Sequence, residues 1–357
     1  MDETKLIDFI EQVSGGTHLR VEEDLGSGFV RLRSEEAERR QAKHDIRCVE
    51  DIVVEMLRNA RDAQAQTVYV ATTREAETRL LTFIDDGMGI PANLHALIFE
   101  PRVTSKLETM VLDDWGVHGR GMALFSIKSN VRKAQVVCSA VGLGTAISLE
   151  VDTTVLPEKA DQSSLPLLEK DDEGRFRVAK GPRNLLRFSI EFALAHRHAP
   201  EVYFGSPSEI AATLLEQGHR QVSNETLLFC DDASSLPVTQ RLATSADANE
   251  LMLNCALVGL PISERTAHRI LSRQITPLRP LYDLARFGSL RIANTKTDLA
   301  RDARGLKLAP EDIEAFAREM EKAFELLADR YYLSLSDVPN VRVKGDAITV
   351  RFPIEKE

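Results

Sequence analysis

Apolar positions along this chain recur with two periods, and they sketch a mixed architecture. Around residues 49–63 the spacing is helical. Val53, Val54, Met56, Leu57, Ala60 and Ala63 form a packing face, while Glu55, Asn59 and Asp62 share another. Short apolar or alternating runs predict strands at Thr67–Thr72, Leu80–Ile84 and Ile147–Val151. Ahead of these, residues 1–16 read as an amphipathic helix and Val21–Leu32 as a strand pair around Gly26-Ser27-Gly28. Ser34 opens a charged helix through His44, and Pro91–Phe99 reads as a short helix. Residues 157–181, rich in Lys, Asp, Glu, Ser and Pro, read as a long loop. A helix follows at Asn184–Ala195, then a strand at Val202–Phe204 closed by Gly205-Ser206-Pro207. From 208 the pattern is helical: Ile210–Glu216, Asp247–Val258, Glu264–Leu271, Leu281–Phe287 and Pro310–Leu333. A hairpin at Val341–Pro353, turning at Lys344-Gly345-Asp346, comes last.

Candidate chemistry sits in four places. Glu55 can orient or deprotonate a water, and the Asn59 amide oxygen is a hard ligand suited to magnesium. Phe83–Ile90 ends a buried strand in a turn where Gly87 and Gly89 let backbone approach a ligand and Asp85 can accept from a purine amino group. Gly116–Leu124 is a glycine-rich turn running into an apolar helical pattern, the arrangement that offers N–H groups to phosphate oxygens. Gly144-Thr145-Ala146 leads into the next strand.

In this order and spacing the four signals resemble the boxes of the Bergerat-fold, or GHKL, ATPases: gyrase B, heat-shock chaperones of the same fold, histidine kinases and MutL. The resemblance covers residues 45–151. It implies an α+β fold, a Bergerat α/β sandwich with helices on one face of a mixed sheet, with ATP and Mg2+ as cofactors. By the same resemblance Glu55 is the general base, Asn59 the magnesium ligand and Asp85 the adenine-reading aspartate, with Gly87 and Gly89 beside it. Gly116, Gly119 and Gly121 match the phosphate-side lid, and Thr145 the residue that helps Asp85 hold adenine. Asp62, Ile90 and Met122 join the cofactor-binding set with their boxes. Residues 101–115 would form the ATP lid. Its Thr104-Ser105-Lys106 is similar to that of MutL and the topoisomerase VI B subunit, so Lys106 is a phosphate candidate, as is Arg120.

Length divides this picture into two parts. The 357 residues suit an ATPase domain at 1–207 and a mainly helical domain at 208–357. With 43% apolar and 28% charged residues, the composition is that of a globular protein. Four scattered cysteines without a C-x-x-C read as reduced thiols, hence a cytoplasmic location. The start lacks a basic stretch followed by an apolar one, and no apolar segment is long enough to span a bilayer, so neither a secretory signal nor a membrane is expected.

Charge adds one local feature. A net −10 argues against a surface coated with nucleic-acid affinity, yet Pro261–Lys307 holds ten Lys or Arg against four Asp or Glu. Arg265, Arg269 and Arg273 are four apart, along one helical stripe, each able to neutralise a duplex phosphate. A solvated arginine face fits that spacing equally. Gly259–Leu271 resembles the helix–two-turns–helix insert of topoisomerase VI B subunits, whereas the transducer domain of that family has no room after the long helix. Three readings stay open. One is a DNA-associated ATPase akin to that subunit or MutL, an ATP-dependent homodimer working with a nuclease or topoisomerase A-type partner. Another is a phosphotransfer protein of histidine-kinase or anti-sigma type, although His44 has no dimerisation hairpin around it. The last is a nucleotide-gated interaction module without turnover.

Overall fold

The computed structural model describes residues 21–32, 36–104, 111–113, 116–118, 121–159, 161–171, 175–197, 199–223, 232–286, 310–331, 333–344 and 347–356. The helix expected over residues 1–16 lies outside them. Contacts divide the chain into two compact units, residues 1–292 and 293–357.

The first unit begins with a hairpin, β1 (Val21–Gly26) and β2 (Phe29–Leu32). Gly26, Ser27 and Gly28 all take positive φ at its tip, the conformation glycine adopts without penalty. Two helices follow, α1 (Glu36–Lys43) and α2 (Val49–Asp62). Asp51 starts α2 by accepting from the N–H groups of Arg47 (2.8 Å) and Cys48 (3.2 Å), donors that a helix end leaves without partners. Then come β3 (Thr67–Glu75) and β4 (Thr78–Asp85), followed by two 3-10 turns at Ala92–Leu94 and Leu97–Phe99 in place of the single short helix expected there.

Strand β5 (Val103–Thr104) pairs with β2, and β6 (Val111–Asp113) pairs with β7 (Gly116–His118). Helix α3 (Ala123–Asn130) leads to β8 (Lys133–Ser139) and β9 (Thr145–Asp152). Helix α4 (Leu185–Ala195), capped by the Asn184 side chain accepting from Arg187 N–H at 2.9 Å, precedes β12 (Glu201–Gly205).

The central sheet has the order β12-β3-β4-β9-β8, with β12 parallel to β3 and the other neighbours antiparallel. Alternation gives it two apolar faces. Val68, Val70, Leu81, Phe83, Ile147 and Leu149 pack with α2 and α4. Tyr69, Ala71, Ile84, Ala146 and Tyr203 point the other way. There they meet α5 (Pro207–Gln221), a 3-10 segment at Val238–Thr244, α6 (Ala248–Leu257) and α7 (Glu264–Leu271). The mixed sheet with helices agrees with the sequence reading, and the helical stretch after 207 supplies a second cover. Thr82 Oγ1 fastens that cover by donating to Gly259 O at 2.8 Å. Helix α8 (Leu281–Arg286) returns to the first face, where Leu281 and Ala285 are buried.

Two expectations need correction. Residues 157–181 are not a plain loop. They contain a hairpin, β10 (Leu167–Lys170) with β11 (Phe176–Lys180), whose Leu168 is fully buried beneath partly buried Phe176 and Val178. The strap before it is anchored by Glu50, a fully buried carboxylate of α2 that accepts from Lys159 N–H and from Gln162 Nε2 (2.6 Å). Charged residues dominated the sequence pattern because only alternate hairpin positions face inward. The arginine stripe is also interrupted. Helix α7 stops at Leu271, and Arg273 takes φ +57 with Gln274 N–H bonded to Arg269 O. Arg273 is therefore the left-handed closing residue of the helix and leaves the line of Arg265 and Arg269.

The second unit holds α9 (Pro310–Tyr331), β13 (Leu333–Leu335) paired with β16 (Ile354–Lys356), and the hairpin β14 (Asn340–Lys344) with β15 (Ala347–Arg351). Phe324 of α9 stacks on Phe352 with centroids 5.2 Å apart.

The buried hairpin predicts a measurable cost. Leu168→Ala should lower the free energy of unfolding by about 2–5 kcal/mol in urea titration, whereas truncation in a solvated loop would change it by less than about 0.5 kcal/mol.

Candidate functional site

A cavity of 760 Å³ opens on the first face of the sheet, within the range of small-molecule sites. Its walls come from α2, the ends of β4 and β9, the β1–β2 tip with β5, and the start of α3. Glu55, Asn59 and Asp62 of α2 line it together with Asp85, Gly89, Ile90, Gly121, Met122 and Thr145. Gly116 lies in β7, paired with Asp113. Lys106, Gly119 and Arg120 fall outside the described residues.

Packing decides how each side chain is presented. The apolar residues of α2 are buried against the sheet, which turns its polar positions toward the cavity. Asp62 Oδ1 is held by Arg61 Nη2 at 2.9 Å. Arg61 Nη1 also donates to His196 Nε2 (3.0 Å), while His196 Nδ1 lies 3.1 Å from Phe192 O. These partners require a neutral imidazole carrying its proton on Nδ1. His196 thus ends α4 as a structural residue, stacked on Phe192.

The two neighbouring carboxylates at the end of β4 have separate tasks. Asp86 is consumed by structure, accepting from Gln66 N–H, Thr67 N–H and Thr67 Oγ1 at 2.7–2.8 Å, which clamps the turn after α2 to the sheet. Asp85 faces the cavity and accepts from Gly87 N–H at 2.9 Å. Loss of solvent raises its pKa to about 7, opposed by the Gly87 N–H and reinforced by the Asp86 charge. Around it the turns leave no room for side chains. A Cβ on Gly87 would sit 2.7 Å from Ala63 O, on Gly89 1.8 Å from Ala140 O, and on Gly144 2.2 Å from Asp85 O.

Two residues of the site, Arg58 and Ser139, escaped the sequence reading, and Gly144 was read there only as the start of a strand. Arg58, only 3% exposed, donates to Glu55 Oε1 and lines the cavity. Its position three after Glu55 was the available signal. Gly144 permits the contact between β9 and the end of β4. Ser139 contacts Thr145 Oγ1 at 3.0 Å. A hairpin drawn through Ala140–Gly144 would have placed those two residues opposite one another.

Asn59 offers a test of fit for the magnesium implied by the resemblance. Its amide nitrogen is buried and meets no hydrogen-bond partner among the described residues. That nitrogen calls for an acceptor such as a ligand oxygen, and only the oxygen at the other end of the amide can ligate a metal. Among the described residues no group of three or more His, Cys, Asp or Glu could hold a metal ion. A single amide oxygen fits magnesium, which commonly takes few protein ligands and completes its shell with phosphates and water.

Residues 44–155 match the family model of histidine kinase-, DNA gyrase B-, and HSP90-like ATPases. This stretch is therefore similar to the ATP-binding domains of the GHKL type. The matched GHKL span begins just before α2 and ends just past β9, so it contains all the lining residues just named from Glu55 to Thr145. Members of this family generally act as ATPases or kinases. A comparison with curated proteins found no match. Among the described residues no helix is long and apolar enough to cross a membrane.

The raised pKa of Asp85 sets the sign of a pH dependence. An amino group binds the ionised carboxylate more strongly than the protonated one, so ATP affinity should rise with pH through about 7 and level off above it. Well below that value the affinity should fall by about tenfold per pH unit. Without nucleotide the linkage runs oppositely, since stability from protonated Asp85 is complete below 3.8 and lost as pH rises to about 7. Calorimetric titration across this range checks the binding arm. A wild-type profile as flat as that of Asp85→Asn would remove Asp85 from the base-binding role.

Proposed function

We propose that this protein is a magnesium-dependent ATPase of the GHKL type, whose nucleotide state governs association of two copies in a DNA-linked process akin to that of the topoisomerase VI B subunit or MutL. The observation that carries the ATPase reading is the shared cavity, with Glu55 and Asn59 on one wall and Asp85 on another. Asp85 accepts from the adenine amino group, aided by Thr145. Asn59 would hold magnesium, which supplies charge neutralisation for the phosphates.

Glu55 takes a proton from a water as the water oxygen bonds to the terminal phosphorus and the bond to the ADP oxygen breaks. The proton ends on the Glu55 carboxylate and the electron pair on ADP. Arg58 fixes the orientation of Glu55 through their ion pair, a partly buried contact that salt screens less than an exposed one. Lys106 and Arg120 serve as phosphate contacts in this scheme, with Gly116, Gly119 and Gly121 as the hinges of the cover.

The nucleic-acid arm rests on fewer residues than the spacing suggested. Arg265 and Arg269 are exposed on α7, and Arg273 is exposed just beyond it. Each phosphate neutralised should add about −0.9 to the slope of log affinity against log salt. For phosphotransfer, His44 gives little help, since it occupies the turn between α1 and α2.

Phosphate release measured against protein concentration, with and without duplex DNA, tests the proposal. Turnover should rise faster than linearly with concentration if two copies act together. Glu55→Ala should cut turnover at least about a hundredfold while retaining ATP and trapping a dimer on size exclusion. Asn59→Ala should abolish magnesium-dependent turnover and keep part of the affinity. Wild-type turnover in Glu55→Ala would refute the assignment of the base. Arg265→Ala with Arg269→Ala should lose any DNA stimulation, and an unaltered salt slope in that variant would remove α7 as the DNA surface.

A further inference from the structure

Three polar side chains stand in one row across the base end of the cavity wall. Asp85 of β4 pairs with Thr145 of β9, and Thr145 pairs with Ser139 of β8. Cross-strand partners project from the same face of a sheet. Thr145 is 4% exposed and Ser139 is 9% exposed.

The protons of this row can be counted. A hydroxyl has one proton to give and two lone pairs to receive. Ser139 Oγ lies 2.8 Å from Gly144 O. Two oxygens repel at that distance unless a proton lies between them, and the carbonyl has none, so Ser139 gives its proton there. Ile90 N–H donates to Ser139 Oγ at 2.7 Å and takes one lone pair. What remains is the 3.0 Å contact between Ser139 Oγ and Thr145 Oγ1, which is a hydrogen bond only if Thr145 donates. Its single proton is then spent on Ser139. Toward the cavity Thr145 presents lone pairs alone.

We propose that Ser139 is a positioning residue for base specificity: by drawing the Thr145 proton to itself, it makes Thr145 a fixed acceptor beside the Asp85 carboxylate, so that the site receives a 6-amino purine and rejects a 6-keto purine. The proposal rests on the ATP-site reading and deepens it. Asp85 and Thr145 sit side by side in register, and both accept. An exocyclic amino group carries two protons to such a pair. A keto oxygen carries none and meets two acceptors, an arrangement that buried sites reject strongly because neither partner has water to turn to. Backbone bonds tie the turn beside the row, with Gly142 N–H on Met88 O at 2.7 Å and Val238 N–H on Leu143 O at 2.8 Å. Donation by Thr145 fills the lone pair of Ser139 that Ile90 N–H leaves open.

ATP and inosine triphosphate, which differ at the purine 6-position and in the proton that inosine carries on N1, separate this from a structural role. Affinities of the full chain for both should be measured by calorimetry at pH 8, where Asp85 is ionised. Ser139→Ala frees the Thr145 proton, so the ratio of ATP to inosine triphosphate affinity should fall about tenfold, the worth of one neutral hydrogen bond. Thr145→Val should lower the ratio by a similar factor, and adding Ser139→Ala to it should change the ratio no further. If Ser139→Ala does not fold, Thr145→Val alone decides, and an unchanged ratio there overturns the proposal. Equal weakening of both nucleotides by Ser139→Ala would show a structural role and overturn it too, leaving the ATP site intact. A folded wild type that binds neither nucleotide would remove the ATP-site reading itself, and this inference with it.

Discussion

The antiparallel ladder between β4 and β9 fixes where the chemical groups of the cavity stand. It runs without a bulge from Thr78 opposite Asp152 to Asp85 opposite Thr145. A slip of one residue would carry Asp85 to the far face, where Ile84 and Ala146 now pack, and would bury a carboxylate among apolar side chains. Burial of Leu81, Phe83, Ile147 and Leu149 on one face makes that slip costly. Gly144 permits the ladder to end tightly, because any side chain there would strike Asp85 O. The raised pKa of Asp85 follows from the same placement, a carboxylate held at the end of the central strand with little water.

Helix α2 is tied to this ladder at both ends. Asp51 and buried Glu50 secure its start, the latter through a strap that reaches Gln162 and, through Gln162 Oε1, the first turn of α4. Asp86 secures the turn after its end. Between these anchors Glu55, Asn59 and Asp62 have little freedom to drift, which is what the proposed positioning of water and metal requires. The ion pair of Glu55 with Arg58 and that of Asp62 with Arg61 add orientation at close range.

The helical cover on the far face of the sheet touches the site indirectly. Val238 N–H, from the 3-10 segment on that side, donates to Leu143 O in the β8–β9 turn whose Val141 lines the cavity. Thr82 and Gly259 form a second tie through the sheet surface. Any displacement of the β8–β9 turn thus reaches the segment that precedes α6 and α7. Met88 and Val141 stand 48% and 66% exposed at the same edge, where the apolar wall of the cavity meets solvent.

By itself the sequence determined the local elements and the chemical inventory. Periodicity located α2, β3, β4, β9, α4, β12 and the later helices, because one-sided burial leaves its period in the chain. Glycines at 87 and 89 announced a close backbone approach, and Glu55, Asn59 and Asp85, which share one cavity, were legible as candidates because their spacing is local to one helix or one turn. Pairings between distant residues were decided by tertiary structure alone. The sequence reading chose Asp85 over Asp86 by resemblance, and the physical reason that Asp86 does not face the cavity is its clamp on Thr67. Spacing by four could not reveal that α7 ends before Arg273, since the closing turn depends on one left-handed residue. The hairpin within 157–181 looked like loop because Leu168, fully buried, is surrounded in sequence by charged residues. Ser139 became part of the site only when β8 folded back on β9, since a hydrogen bond across strands has no period along the chain.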